Sequence, residues 1–130
     1  MTDDEKNALI EHRIKKALNT IDEVDFLIDN NRLYLAVNRI YYAIFYLLSA
    51  VSLKYNFPTS KHQQLIGWFN KEFIASGKID RKYGKIIHNA YKNRSLGDYD
   101  DFVEFDIENV KNSFEEMKDF VGKVRRVLSI

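Results

Sequence analysis

Apolar residues at Ile10, Ile14, Ala17, Ile21, Val24 and Ile28 recur at alternating spacings of four and three, which puts all of them on one side of an α-helix. Thr2-Asp3-Asp4-Glu5 ahead of them has the form of a capping box, so the first helix is predicted to start there. Asn30-Asn31 punctuates the pattern. A second stripe of Leu33, Val37, Ile40, Tyr41, Ile44, Leu48 and Val51 then predicts a helix running to about Tyr55, where Asn56-Phe57-Pro58 stops it. Ser60-Lys61-His62-Gln63 repeats the capping-box form and opens a shorter third helix with Leu65, Ile66, Phe69 and Phe73 turned inward, closed at Ser76-Gly77. Asp80 is positioned to cap a fourth, in which Tyr83, Ile87, Ala90 and Arg94 share a face and Gly97 is expected to be the stop. Residues 98–104 read as an acidic connection. A last helix from Asp106 repeats Ile107, Val110, Phe114, Met117, Val121, Val124 and Leu128.

Each stripe is one-sided and needs a neighbour to cover it, so the predicted fold is all-α: an antiparallel up-and-down bundle of four to five helices in a single domain over residues 1–130. The second helix departs from the pattern. Its other face carries Leu35, Arg39, Tyr42, Tyr46 and Leu53, so it is apolar or aromatic nearly all round. Two readings follow: the centre of the bundle, or a subunit interface, where tyrosine and arginine are enriched.

Composition narrows the field. The chain has 130 residues, 45% of them hydrophobic, and only one proline, so few points break a helix and a core can be buried. A formal net charge of +1 excludes a uniformly basic DNA-coating surface and leaves room for a local patch that holds one phosphate group. Cysteine is absent, which removes disulfides and thiolate metal sites and fits a cytoplasmic location. The acidic start Met1-Thr2-Asp3-Asp4-Glu5 is unlike a secretory or mitochondrial leader. The richest apolar run, residues 40–53, falls short of the roughly 20 apolar residues that a bilayer needs, so no membrane association is expected.

Arg94 stands where the fourth stripe calls for an aliphatic. Its stem therefore starts toward the bundle. It can fold back on Asp98 at the helix end, or it can present a guanidinium fork at a groove, where the fork would grip a phosphate of nucleotide or RNA. Basic residues crowd the stretch before it, with Lys78, Arg81, Lys82, Lys85 and Lys92 against Asp80 alone, and acidic residues crowd the stretch after it. His12, His62 and His88 have no second histidine or carboxylate at the spacing of a metal site, so no metal is expected. His62 and His88 read as surface or capping residues. Glycine-rich phosphate loops are missing, which argues against an ordinary nucleotide hydrolase and implies no cofactor.

The run Ala36-Val37-Asn38-Arg39-Ile40-Tyr41-Tyr42-Ala43-Ile44-Phe45, the Ser60-Lys61-His62 opening ahead of Phe69 and Phe73, and Arg94 through Asp98-Tyr99 together resemble the HEPN superfamily of helical nucleotide-binding domains. The resemblance implies a bundle of four or five helices, commonly a homodimer, often encoded beside a minimal nucleotidyltransferase as a toxin-antitoxin or stress module. Many HEPN proteins are metal-independent ribonucleases whose arginine is followed four to six residues later by histidine. Such a pair supplies proton transfer and a cation for the developing phosphorane charge. Here Asp98 and Tyr99 stand in the histidine's place and no histidine follows. This is similar to the branch ending in Arg-x-x-x-Asp-Tyr. The expected role is a nucleotide- or RNA-binding protein with its site at Asn38, Arg39, Tyr42, Arg94, Asp98 and Tyr99. One rival is a divergent endoribonuclease using Arg94 with Asp98 or Tyr99. The other is a non-catalytic interaction protein in which Asn38, Arg39, Arg94 and Asp98 are a buried polar network fixing helix register.

Overall fold

A computed structural model describes residues 1–130 as five α-helices. They are α1 (Asp3–Asp29), α2 (Leu33–Lys54), α3 (His62–Phe69), α4 (Arg81–Tyr99) and α5 (Ile107–Leu128), and α3 runs on into a π-helical turn over Asn70–Ile74. The caps follow from the side chains present. Thr2 Oγ1 accepts from the Glu5 backbone N–H, Asp80 from Lys82, and Asp106 from Asn109, each giving an otherwise orphaned donor its partner. Asn31 and Asn56 take left-handed conformations just beyond α1 and α2, a backbone state that asparagine tolerates better than other residues with a β-carbon.

The four long helices alternate in direction. The Lys6 ammonium meets Asn56, Arg13 meets the Ser49 carbonyl and Lys16 covers Tyr46, so α1 and α2 run in opposite senses. Tyr83 near the start of α4 bonds Asp119 in α5, while Lys92 and Asn93 near its end line a cavity with Asp106 and Asn109 at the start of α5, so these two are also antiparallel. Lys54 donates to the Leu128 carbonyl, which places the ends of α2 and α5 together and makes these two the parallel diagonal of the bundle. The result is the all-α, antiparallel up-and-down bundle expected from the stripes.

α2 lies at the centre, packed by α1, α3, α4 and α5, and this accounts for an apolar surface nearly all round it. Thirteen of its residues are buried, among them Tyr41, Ile44, Leu47 and Leu48 with no exposed surface. At 22 residues it is long and apolar enough to cross a bilayer, a length that the shorter run 40–53 conceals, but its apolar surface is turned to the other helices. Leu35 at its first turn remains half-exposed, so the bundle leaves part of that second face uncovered.

Two helix ends differ from the sequence expectation. Ser60 does not cap α3; Lys61 takes the cap position with no side-chain bond, and Thr59 Oγ1 instead accepts from the Lys61 N–H. Gly97 does not stop α4, which continues to Tyr99. Glycine leaves room there for its neighbours: a β-carbon would sit 3.2 Å from the Tyr34 ring and 3.4 Å from that of Phe105, closer than ordinary contact.

Candidate functional site

Tyr41 and Tyr42 are neighbours in α2 and so point about 100° apart around the helix. Tyr41 enters the core with no exposed surface, while Tyr42 stays half-buried at the seam with α4. Arg94 comes down from α4 onto both rings, its guanidinium carbon 5.4 Å from the Tyr41 centroid and 5.6 Å from that of Tyr42. Its Nη2 donates to the Tyr42 hydroxyl at 3.2 Å. Arg39, one turn before Tyr42 on α2, places its own guanidinium 4.9 Å from the same ring. Two cations therefore share one aromatic ring, an attraction worth about 0.5–2 kcal/mol each depending on solvation.

Asp98 is the one carboxylate in this cluster. Its Oδ2 lies 3.0 Å from Arg94 Nε, and its Oδ1 accepts from the Tyr34 hydroxyl at 3.1 Å. The Nε–H is buried and is not aimed along a hydrogen bond, so the Arg94–Asp98 pair is a close ionic contact without a directed bond. Both side chains keep about a fifth of their surface in solvent, 19% and 22%. Of the two placements open for Arg94, the geometry is the fold-back onto Asp98, and the larger surface cavities are lined by other residues. Arg39 donates from Nε and Nη2 to Asn38 Oδ1 and meets no carboxylate. Asn38, Arg39, Tyr42, Arg94 and Asp98 are thus brought together. Tyr99 is not: it is 83% exposed and makes no side-chain hydrogen bond.

Three residues outside the expected set join the cluster. Tyr34 holds Asp98 from the other side, and that hydrogen bond raises the tyrosine's pKa. Tyr41 and His62 form the second addition, with the hydroxyl 2.7 Å from Nδ1. His62, expected at the surface or in a cap, is instead half-buried. With Lys61 at the cap position and His62 the first residue of α3, the imidazole ring falls onto α2 and stacks on Phe45 at 4.0 Å. Burial, and then the Arg94 charge, lower the His62 pKa, favouring the neutral ring. Burial also pushes the Tyr41 hydroxyl well above its ordinary range, so it keeps its proton. A protonated, buried Tyr41 hydroxyl is best satisfied by donating to Nδ1, which assigns the His62 proton to Nε2. No group of three or more histidine and acidic side chains comes together in metal-binding geometry.

Chemically, the cluster offers two guanidiniums, an aromatic shelf and a neutral imidazole around a single carboxylate. Comparison with known proteins finds the HEPN domain matched over residues 10–130. A UPF0332 protein of Thermotoga maritima is 37% identical over 124 residues, covering 95% of this chain and 94% of that one. Two Methanocaldococcus jannaschii proteins bearing the name "Putative toxin" are also similar. One is 29% identical over 92% of this chain and 81% of its own length, the other 36% identical over 75% and 73%.

Proposed function

The chain belongs to the HEPN domain family, and on that premise we propose that it binds a phosphate group of a nucleotide or RNA at Arg94. In this reading it is one member of a toxin-antitoxin or stress module, a cytoplasmic homodimer working with a minimal nucleotidyltransferase. The observation that carries the proposal is the convergence of Arg39 and Arg94 on the Tyr42 ring with only Asp98 to offset them. Both Nη1 groups are without a hydrogen bond inside the chain and are free to meet phosphate oxygens. Tyr42 supplies a ring face on which a base can stack. The names of the Methanocaldococcus relatives support the toxin-antitoxin setting. Exposed Tyr34, Leu35, Tyr99 and Phe102, where the start of α2 meets the end of α4, are the surface a second copy would cover.

Titration with AMP, ATP and a labelled single-stranded RNA tests the site. A charge-assisted hydrogen bond contributes about 1.5–3 kcal/mol, so Arg94→Ala should weaken phosphate binding by roughly tenfold or more, with the helical circular dichroism unchanged. Arg94→Lys should recover only part of it, because an ammonium cannot reproduce the fork. A folded Arg94→Ala protein with undiminished affinity for all three ligands rejects the assignment.

RNA cleavage is the second reading, and one contact favours it: the Tyr41–His62 pair sits beside Arg94, where it could move a proton. His62 is better placed for that role than Asp98, which is engaged by Arg94 and Tyr34, or Tyr99, which points to solvent. Incubating chelator-treated protein with labelled RNA separates the readings. Cleavage that Arg94→Ala and His62→Gln both abolish supports the enzyme, whereas intact RNA at every pH from about 5 to 9 excludes it.

A further inference from the structure

A groove of about 640 Å³ runs between α1, α2 and the segment leading into α3, on the far side of His62 from Arg94. Its walls carry His12, Arg13, Lys16, Lys61 and His62, and no aspartate or glutamate. In a chain with nearly as many acidic as basic residues, a groove with three permanent cations and no carboxylate is a concentrated positive field. The cavity between α4 and α5 leans the other way, with Glu104, Asp106 and Glu116 against Lys92.

Two of these cations are held in place. Arg13 Nη1 donates to the Ser49 carbonyl at 3.2 Å, and the loss of hydration on burial lowers its pKa. Lys16 Nζ lies 4.6 Å from the centroid of Tyr46, which also lines the groove. Phe45 lies in the wall with His62 stacked on it. At the groove's end α3 begins without a side-chain cap, so its first backbone N–H groups add to the same positive field.

We propose that this groove is a second anion subsite, and that it takes the sugar-phosphate backbone of single-stranded RNA. Cations alternating with aromatic faces match a strand whose phosphates need charge and whose bases need stacking surfaces. His62 links the groove to Arg94, since its Nδ1 meets the Tyr41 hydroxyl and Arg94 covers the Tyr41 ring. A strand lying in the groove and reaching Arg94 would occupy both. A mononucleotide needs only the Arg94 end, which defines the substrate class as an oligonucleotide. The continuity rests on the Arg94 reading; the groove itself does not.

Fluorescence anisotropy with a labelled oligouridylate and with AMP, over a range of salt, tests this. Lys16→Gln with Lys61→Gln should weaken oligouridylate binding about tenfold and lower the salt slope by about 1.4, at about 0.7 per phosphate contact on a single strand, while leaving AMP affinity unchanged. Lys71→Gln with Lys85→Gln, which removes the same charge elsewhere, should alter neither ligand. Oligouridylate affinity and slope unmoved by the groove pair, or equally reduced by the distant pair, overturn the groove. An oligouridylate loss with the groove pair but none with Arg94→Ala keeps the groove and overturns the Arg94 site. Absence of oligouridylate binding by the unmodified protein overturns the groove, and AMP binding lost with Arg94→Ala would then leave the Arg94 site standing.

Discussion

Arg94 stands out in the sequence because a charged residue interrupts an aliphatic stripe, and its fold-back on Asp98 is visible there as a spacing of four. The contacts with Tyr41 and Tyr42 are not legible, since they join residues 52 or more positions apart and no periodicity reports them. His62 escapes for a related reason: with Ser60 as the cap, the histidine would belong to an exposed first turn. Its neutral state has a pH consequence. The folded pKa lies below the ordinary value of about 6.5, so the unfolded chain binds more protons just below that pH. His62 therefore favours the fold fully above about pH 6.5 and progressively less as pH falls toward its folded pKa. Thermal melts should show the Tm dropping as pH is lowered from 7 to about 5, with a flatter dependence in His62→Gln. Equal slopes in the two proteins would remove His62 as the source. The cationic side chains near His62 are Arg94, Arg13, Lys16 and Lys61.

At the level of the helices, all five are legible because their apolar spacings are long and regular, and Thr2, Asp80 and Asp106 take the cap positions their residue types imply. Ends without a regular pattern are not. Gly97 has the look of a terminator, yet a helix continues through glycine when the space beside it is wanted by a neighbouring ring. The π turn at Asn70–Ile74 also leaves no trace in the stripe, because Phe69 and Phe73 still reach the core across it. Gly67 in α3 is the contrasting glycine: a β-carbon added there would meet nothing within 4 Å, and its φ is not positive. Gly67→Ala should stabilise the protein by about 0.5–1 kcal/mol, read as a higher midpoint in urea with an unchanged m-value. A lower midpoint would mean that α3 depends on glycine for a reason other than space.

For the whole molecule, the bundle converges on α2, which shares a face with every other helix. The sequence leaves two explanations for its all-round apolarity, and the packing assigns most of it to the interior. Phe120 of α5 and Phe69 of α3 meet at 6.0 Å with no exposed surface, so they tie the short helix to the long ones. Phe120→Ala should cost about 3–5 kcal/mol, a large part of the stability of a domain of this size. Its unfolding midpoint in denaturant would show this, and a loss under about 1 kcal/mol would mean that the core closes over the gap.

Asp98 meets Arg94 at Nε and leaves Nη1 outside any hydrogen bond within the chain. The guanidinium is thus kept oriented inside the seam. On the proposed reading a phosphate arrives at Nη1 beside a carboxylate that Tyr34 holds from its other side. That carboxylate repels any anion that cannot make directed bonds to the fork, so on this reading the seam favours a phosphate oxygen over a simple ion such as chloride.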